Sequence, residues 1–252
     1  MARHYNKEAV VSFDTIRVQG RVGLAITISD LPGQRFVLEI PEVFTLRDLK
    51  TGLFNYSNQR WTYDHKNAEM KYEDNQYKYV IRLTVESAKK ATSVKWTMAF
   101  ENKTDKSLYD VVAFNCWTMN TAPLFKDLTM ERTFVTDASG KRTALKEVNK
   151  IQGDGRRLMQ FYGAVNGIDL SQSPWVSQWS VISGQTLSGR KISVVSTDGK
   201  WIFENKVNGK VAYFFNNWED DHGCVHASPL LAAELKPGKI VEAAGLFKFT
   251  RL

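Results

Sequence analysis

The chain is poor in the residues that staple small folds. Its 252 residues include 2 Cys, 6 Pro and 4 His. Two cysteines cannot frame a disulfide-stapled miniprotein, and a chain of this length buries about 70–75 % of its unfolded surface without staples. No apolar run approaches the ~18 residues of a membrane-spanning helix. G-x-S-x-G, Walker A, G-x-G-x-x-G and H-E-x-x-H are all absent, which argues against elbow-type serine hydrolases, P-loop enzymes, Rossmann enzymes and zincins. Residues 1–8 hold no apolar segment of a signal peptide. The expectation is therefore a cytoplasmic protein or a periplasmic or secreted one whose signal has been removed, with the extracytoplasmic reading preferred. Helical periodicity is scarce as well. Only residues 41–49 are expected to hold a turn or two of helix, with Pro41 at a first helical position.

Strand signals fill the space that helix leaves. Apolar residues make up 43 % and aromatics 12 %, which excludes disorder. Residues 78–86 alternate Tyr79, Ile81, Leu83 and Val85 against polar neighbours. Residues 94–101, 108–117, 191–196, 201–204, 211–216 and 240–249 are rich in β-branched and aromatic types. Turn signals separate them, with Asn208-Gly209 the strongest because a type I′ turn needs φ > 0 at both central positions. Many short strands spaced by turns predict an all-β protein, a large antiparallel β-sandwich with very little helix. No linker divides the chain, so residues 1–252 read as one domain.

Self-comparison finds an internal repeat at about residues 96–128 and 201–235. Trp96, then Phe100-Glu101-Asn102-Lys103, then Phe114-Asn115-Cys116-Trp117 and Pro123-Leu124 match Trp201, Phe203-Glu204-Asn205-Lys206, Phe215-Asn216-Asn217-Trp218 and Pro229-Leu230 in the same order. The reading is two similar β-hairpin units packed into one sandwich. Five residues separate Trp117 from Pro123, but ten separate Trp218 from Pro229. The longer stretch holds His222, Cys224 and His226, and a loop inserted in one half is a common way for a site to break symmetry.

These residues carry the expected chemistry. His222, Cys224 and His226 share parity, so an extended backbone aims all three the same way. They are metal-ligand types, with Asp221 or Asp220 available to complete a shell and Cys116 able to face the same space. No cofactor is favoured; a divalent metal on His222, Cys224, His226 and Asp221 is the alternative to acid/base work by His226 or His222. Trp117 and Trp218, with Asn115 and Asn216 at matching parity, and Trp175 and Trp179 in a Ser/Gln-rich stretch, are candidate sugar-binding groups. Indole faces stack on sugar C–H faces while amides bond hydroxyls. The net charge of +7 is spread out. It suits an anionic small molecule or glycan, and lacks the stripe expected of a nucleic-acid protein.

Two stretches resemble a known family. Residues 101–125, through Glu101-Asn102-Lys103-Thr104, Asn115-Cys116-Trp117 and Ala122-Pro123-Leu124-Phe125, are similar to the galactose-mutarotase-like β-sandwiches. The end, Gly223-Cys224-Val225-His226-Ala227-Ser228-Pro229, then Leu235-Lys236-Pro237-Gly238 and Ala244-Gly245-Leu246-Phe247, resembles uncharacterised secreted bacterial members of that superfamily. The resemblance covers roughly residues 70–252 and implies a carbohydrate-active protein. The two His and the acid of an aldose epimerase have no counterpart around His65, so those roles do not carry over. The expected function is an enzyme acting on an acidic or oxidised sugar by proton abstraction, lyase- or epimerase-like. His226 or His222 is the expected base, Arg132 an anion clamp, and Tyr213 or Tyr162 the acid. The alternatives are a glycan-binding module using exposed Trp platforms, and an accessory sandwich with no small ligand. The expected partner is carbohydrate, with no nucleic acid and no membrane. Oligomeric state is left open.

Overall fold

A computed structural model of the chain describes residues 9–18, 20–50, 52–54, 59–148, 158–219 and 222–252. Strands make up 62 % and helix 7 %, so the all-β expectation holds. The strands are β1 (Val11–Val18), β2 (Arg21–Ile28), β3 (Arg35–Thr45), β4 (Leu53–Phe54), β5 (Thr62–Tyr63), β6 (Asn67–Glu73), β7 (Tyr77–Ala88), β8 (Ala91–Asn102), β9 (Leu108–Thr118), β10 (Thr133–Asp137), β11 (Arg142–Ala144), β12 (Met159–Ala164), β13 (Val181–Val195), β14 (Trp201–Val207), β15 (Val211–Asn217), β16 (Cys224–Leu235) and β17 (Ile240–Arg251). The helices are short: α1 (Leu145–Val148) and α2 (Pro174–Trp179). Among the described residues no helix is long and apolar enough to cross a membrane.

The ladder folds into two layers. One runs β5-β6-β7-β8-β17-β14-β13. The other runs β1-β2-β3-β9-β16-β15-β12. β13 joins them: its start lies parallel to β12 and its end antiparallel to β14. In β7, Tyr79, Ile81 and Leu83 point inward and Arg82 and Thr84 outward, as period-two alternation requires. Aromatic rings meet between the layers, with Phe44 of β3 4.6 Å from Phe100 of β8 and Trp117 of β9 5.0 Å from Phe203 of β14. Ring centroids at 4.5–7 Å are the spacing that aromatic pairs favour.

Two expectations are corrected here. Residues 41–49 do not begin a helix. β3 continues to Thr45 because Val43, Phe44 and Thr45 take up pairing with β9. The repeated segments also do not form hairpins. β8 and β14 each pair with β17, and β9 and β15 each pair with β16. Each segment therefore crosses from the first layer to the second at its turn, and Asn208-Gly209 makes that crossing. The Asn of each matched segment ties the layers together. Asn102 Nδ2 donates to the Leu235 carbonyl at one end of β16, and Asn205 Nδ2 to the Val225 carbonyl near the other.

Candidate functional site

The second layer has an unusual outer face. β9 alternates: Asn115 and Trp117 turn toward the core, while Phe114 and Cys116 turn outward. Outward does not mean exposed. Phe114, Phe161, Trp175, Tyr213 and Phe215 form a second apolar cluster there, and α2 covers them through Trp175, 5.2 Å from Phe114 and 5.8 Å from Phe161. A polar cluster adjoins these rings on the same face.

A bulge in β3 assembles one part of it. Glu39 pairs with Cys116 and Val43 with Phe114, so four steps along β3 span two along β9. In a regular strand, residues 39 and 42 would face opposite ways; the bulge brings both beside Cys116. Pro41 lies within it, where a missing N–H leaves no ladder bond unmade. The carboxylates of Glu39 and Glu42 and the Cys116 sulfur lie within 4.8 Å of one another. Arg21 of β2 serves both acids: its Nε donates to Glu39 at 2.7 Å and its Nη2 lies 3.2 Å from Glu42. All three side chains are at most 11 % exposed. Burial raises the Glu39 carboxyl, opposed by its hydrogen bond to Arg21. Burial, then the neighbouring Glu39 charge, pushes Glu42 up to about 7.

The second part comes from β16. Cys224 and His226 emerge on the same face, and the register sets His226 beside Cys116. His226 Nε2 lies 3.1 Å from Cys224 Sγ. The imidazole stacks on Phe114 at 4.1 Å and meets Phe215 edge-on. It is fully buried, and that burial lowers its pKa to about 3, so it is neutral. Cys116 and Cys224 are free thiols. The Cys224 contact and burial hold the Cys116 thiol protonated. Tyr213 of β15 completes the cluster, its hydroxyl 3.2 Å from Thr45 Oγ1 and near enough to Glu42 that the negative charge adds to the upward push of burial.

The expected site residues divide sharply. Cys224, His226 and Tyr213 do come together, joined by Cys116. His222 is half-buried in the turn before Gly223, whose positive φ of 61° suits glycine. It sits close enough to Glu39 to favour the ionised carboxylate, but among the described residues it joins no cluster of potential metal ligands. The stretch 219–228 is not a free loop: from Cys224 onward it is strand, paired on both edges. Asp221 and Asp220 lie outside the described residues.

Trp117 and Trp218 do not wall the site. Both are fully buried in the main core, because their parity turns them inward. Asn115 and Asn216 share that inward face, where Asn216 bonds the Leu158 carbonyl, so neither reaches a ligand. Trp175 is buried on the inward side of α2; Trp179, 6.0 Å from it, is 37 % exposed. Arg132 is no anion clamp. Its guanidinium donates to the carbonyls of Leu124, Lys126 and Val195 and pairs with Asp127, stapling the 124–127 segment. Tyr162 points into the core. Glu101 and Glu204 stand on separate strands of the first layer, Glu204 paired with Lys191.

Glu39, Glu42 and Arg21 were missed by the sequence reading. Their signal is two acids interrupting an apolar run, Phe36-Val37-Leu38-Glu39-Ile40-Pro41-Glu42-Val43-Phe44. Of two surface hollows elsewhere, about 480 Å³ beside Thr62–Thr84 and about 490 Å³ beside Asn208 and Pro229, the first is lined by Asp64, Glu69 and Arg82, but its Arg82–Glu69 pair is open to solvent.

No family model matches the chain, and no curated protein does. Solved structures of the galactose-mutarotase-like type are similar in overall course. One is a galactose mutarotase-like protein from Clostridium acetobutylicum, 7 % identical, covering 97 % of this chain and 99 % of that one, TM-score 0.46. A galactose mutarotase related enzyme from Lactobacillus acidophilus is 11 % identical over 96 % of this chain and 97 % of that one, TM-score 0.43. A galactose 1-epimerase from the same organism is 10 % identical over 96 % and 98 %, TM-score 0.40. Likeness of this degree transfers no residue role.

Proposed function

We propose that the chain is a carbohydrate-active enzyme that moves a proton on a sugar-like substrate, with Glu39 and Glu42 as its acid/base pair. The observation that carries this reading is two buried carboxylates sharing one guanidinium. Proton transfer needs one group to accept and another to give, held close and dry. Glu42 meets that need beside the Tyr213 hydroxyl, and Arg21 limits the charge cost of ionising either acid. The sugar part is supported by the exposed Trp179 indole, which continues through Trp175 and the Phe114–Phe161 rings toward the carboxylates. Hydroxyls of Thr45, Tyr213 and Ser228 lie on the same face.

Two expectations shift. His226, sealed between Phe114 and Phe215, yields the role of base to Glu42. A neutral sugar suits the cluster better than an anionic one, because Arg21 is already shared by two carboxylates. The glycan-binding alternative asked for a strip of exposed Trp, and of its four candidate residues only Trp179 is exposed.

The test is a panel of aldoses, uronates and polysaccharides followed by NMR for anomer interconversion and solvent-deuterium uptake, and by ultraviolet absorbance for unsaturated products. Glu42→Gln is expected to lower the rate by about 10²–10⁴-fold, the usual scale for a lost acid/base group. Wild-type turnover that Glu42→Gln leaves intact would sink the reading.

A further inference from the structure

We propose that Cys116, Cys224 and His226 form the binding site of one divalent metal ion of the zinc class. Their sulfur and imidazole donor atoms all lie within 4.8 Å of one another, and all three residues are buried. Zinc, about 2.3 Å from sulfur and about 2.0 Å from nitrogen, holds neighbouring donors roughly 3.5–3.8 Å apart. The 3.1 Å between His226 Nε2 and Cys224 Sγ and the 4.8 Å ceiling bracket that spacing. The site needs only small adjustments to close on an ion.

The donor types agree. Two thiols and an imidazole are soft to borderline ligands, which select zinc over magnesium or calcium. Thr118 Oγ1, 3.2 Å from Cys116 Sγ, and the Asn115 backbone beside His226 can orient the ligands from behind. Three protein ligands leave a fourth position, as in catalytic rather than structural zinc sites. The carboxylates of Glu39 and Glu42 also lie within 4.8 Å of the Cys116 sulfur.

A disulfide fits the two cysteines less well. Cys224 pairs with Thr118 and not with Cys116, so the cysteines are diagonal neighbours. Diagonal pairs sit about 7–8 Å apart, beyond the ~4.4–6.8 Å between Cα atoms that a disulfide spans.

This inference stands without the acid/base reading, because it is read by metal content and not by turnover. Protein purified without chelator is analysed for metal by mass spectrometry. It is then stripped and titrated with Co²⁺. The expected result is one metal per chain, with a near-ultraviolet sulfur-to-cobalt band and the intense visible bands of a tetrahedral ion. Cys116→Ser, Cys224→Ser and His226→Gln should each weaken Co²⁺ binding by at least about 100-fold, beyond the 10–100-fold typical of outer-shell losses. Far-ultraviolet circular dichroism checks that each variant is folded. Wild-type protein that is folded, reduced and free of metal, and that shows no sulfur-to-cobalt band on titration, overturns the proposal without recourse to any variant. Loss of turnover in Glu42→Gln with the cobalt spectrum intact would uphold both readings. An intact spectrum with no effect of Glu42→Gln on turnover would remove only the first.

Discussion

The two faces of the central strands β9, β16 and β15 lie one residue apart in sequence and differ in how much polar chemistry they bury. The inner face carries Trp117, Val225, Ala227 and Phe214, all fully buried against the other layer. The outer face carries Cys116, Cys224, His226 and Tyr213, just as buried but polar. Buried polar groups cost free energy unless partnered, and on this face Arg21 partners both Glu39 and Glu42.

That contrast can be broken from either side. The largest expected effect is on the inner face. Trp117→Ala removes a ring that packs on Phe203 and Phe247 and should cost about 3–5 kcal/mol, read as a lower urea midpoint. On the outer face, Glu42→Gln should do the opposite: a large loss of turnover with the melting temperature unchanged or raised, because an amide replaces a buried acid crowded by Glu39. A marked fall in stability would mean that Glu42 is structural. Gly245→Ala tests the first layer at the β17–β8 junction. A Cβ there would stand 2.2 Å from the Lys206 carbonyl oxygen and 2.5 Å from Trp96, and such overpacking costs roughly 1–3 kcal/mol.

Smaller effects sharpen the comparison between the repeated segments. Asn102 bonds the Lys106 and Leu235 carbonyls and accepts from Thr104, whereas Asn205 makes one longer bond of 3.3 Å to Val225. Asn102→Ala should therefore cost more than Asn205→Ala, about 1–3 against about 0.5–1.5 kcal/mol, by chemical denaturation. The smallest effect is electrostatic. Asp74 accepts from Tyr72, Gln76 and Tyr77, and those bonds lower its pKa despite an opposing desolvation. A lowered folded pKa adds stability that is present above the unfolded value and lost as pH falls through the folded one. Asp74→Asn should flatten the acid side of the stability profile by lowering stability at neutral pH, with the most acidic end nearly unchanged.

The sandwich was legible because alternation is local. Tyr79, Ile81 and Leu83 announce a half-buried strand whatever they pack against, and the strand signals at residues 94–101, 108–117 and 211–216 all became β8, β9 and β15. The hairpins were misread because a turn signal such as Asn208-Gly209 says that the chain reverses and not which strands it will pair with. The site was half legible. Cys224 and His226 stood out as chemistry-bearing types at matching parity. Glu39 and Glu42 did not, since their shared face depends on the β3 bulge. Trp117 and Trp218 misled because an aromatic at a strand end reads the same whether it faces core or ligand.

Composition and periodicity by themselves determined the class: too little helix signal, too few cysteines and too many alternating strands for anything but an all-β sandwich. Which residues meet was decided only by tertiary structure. Cys116 and Cys224 are over a hundred positions apart, and Arg21 reaches Glu39 from a neighbouring strand. The physical reason is that strand pairing is non-local. A side chain's face follows from its own strand, but its neighbours follow from the register of strands that the sequence keeps far apart.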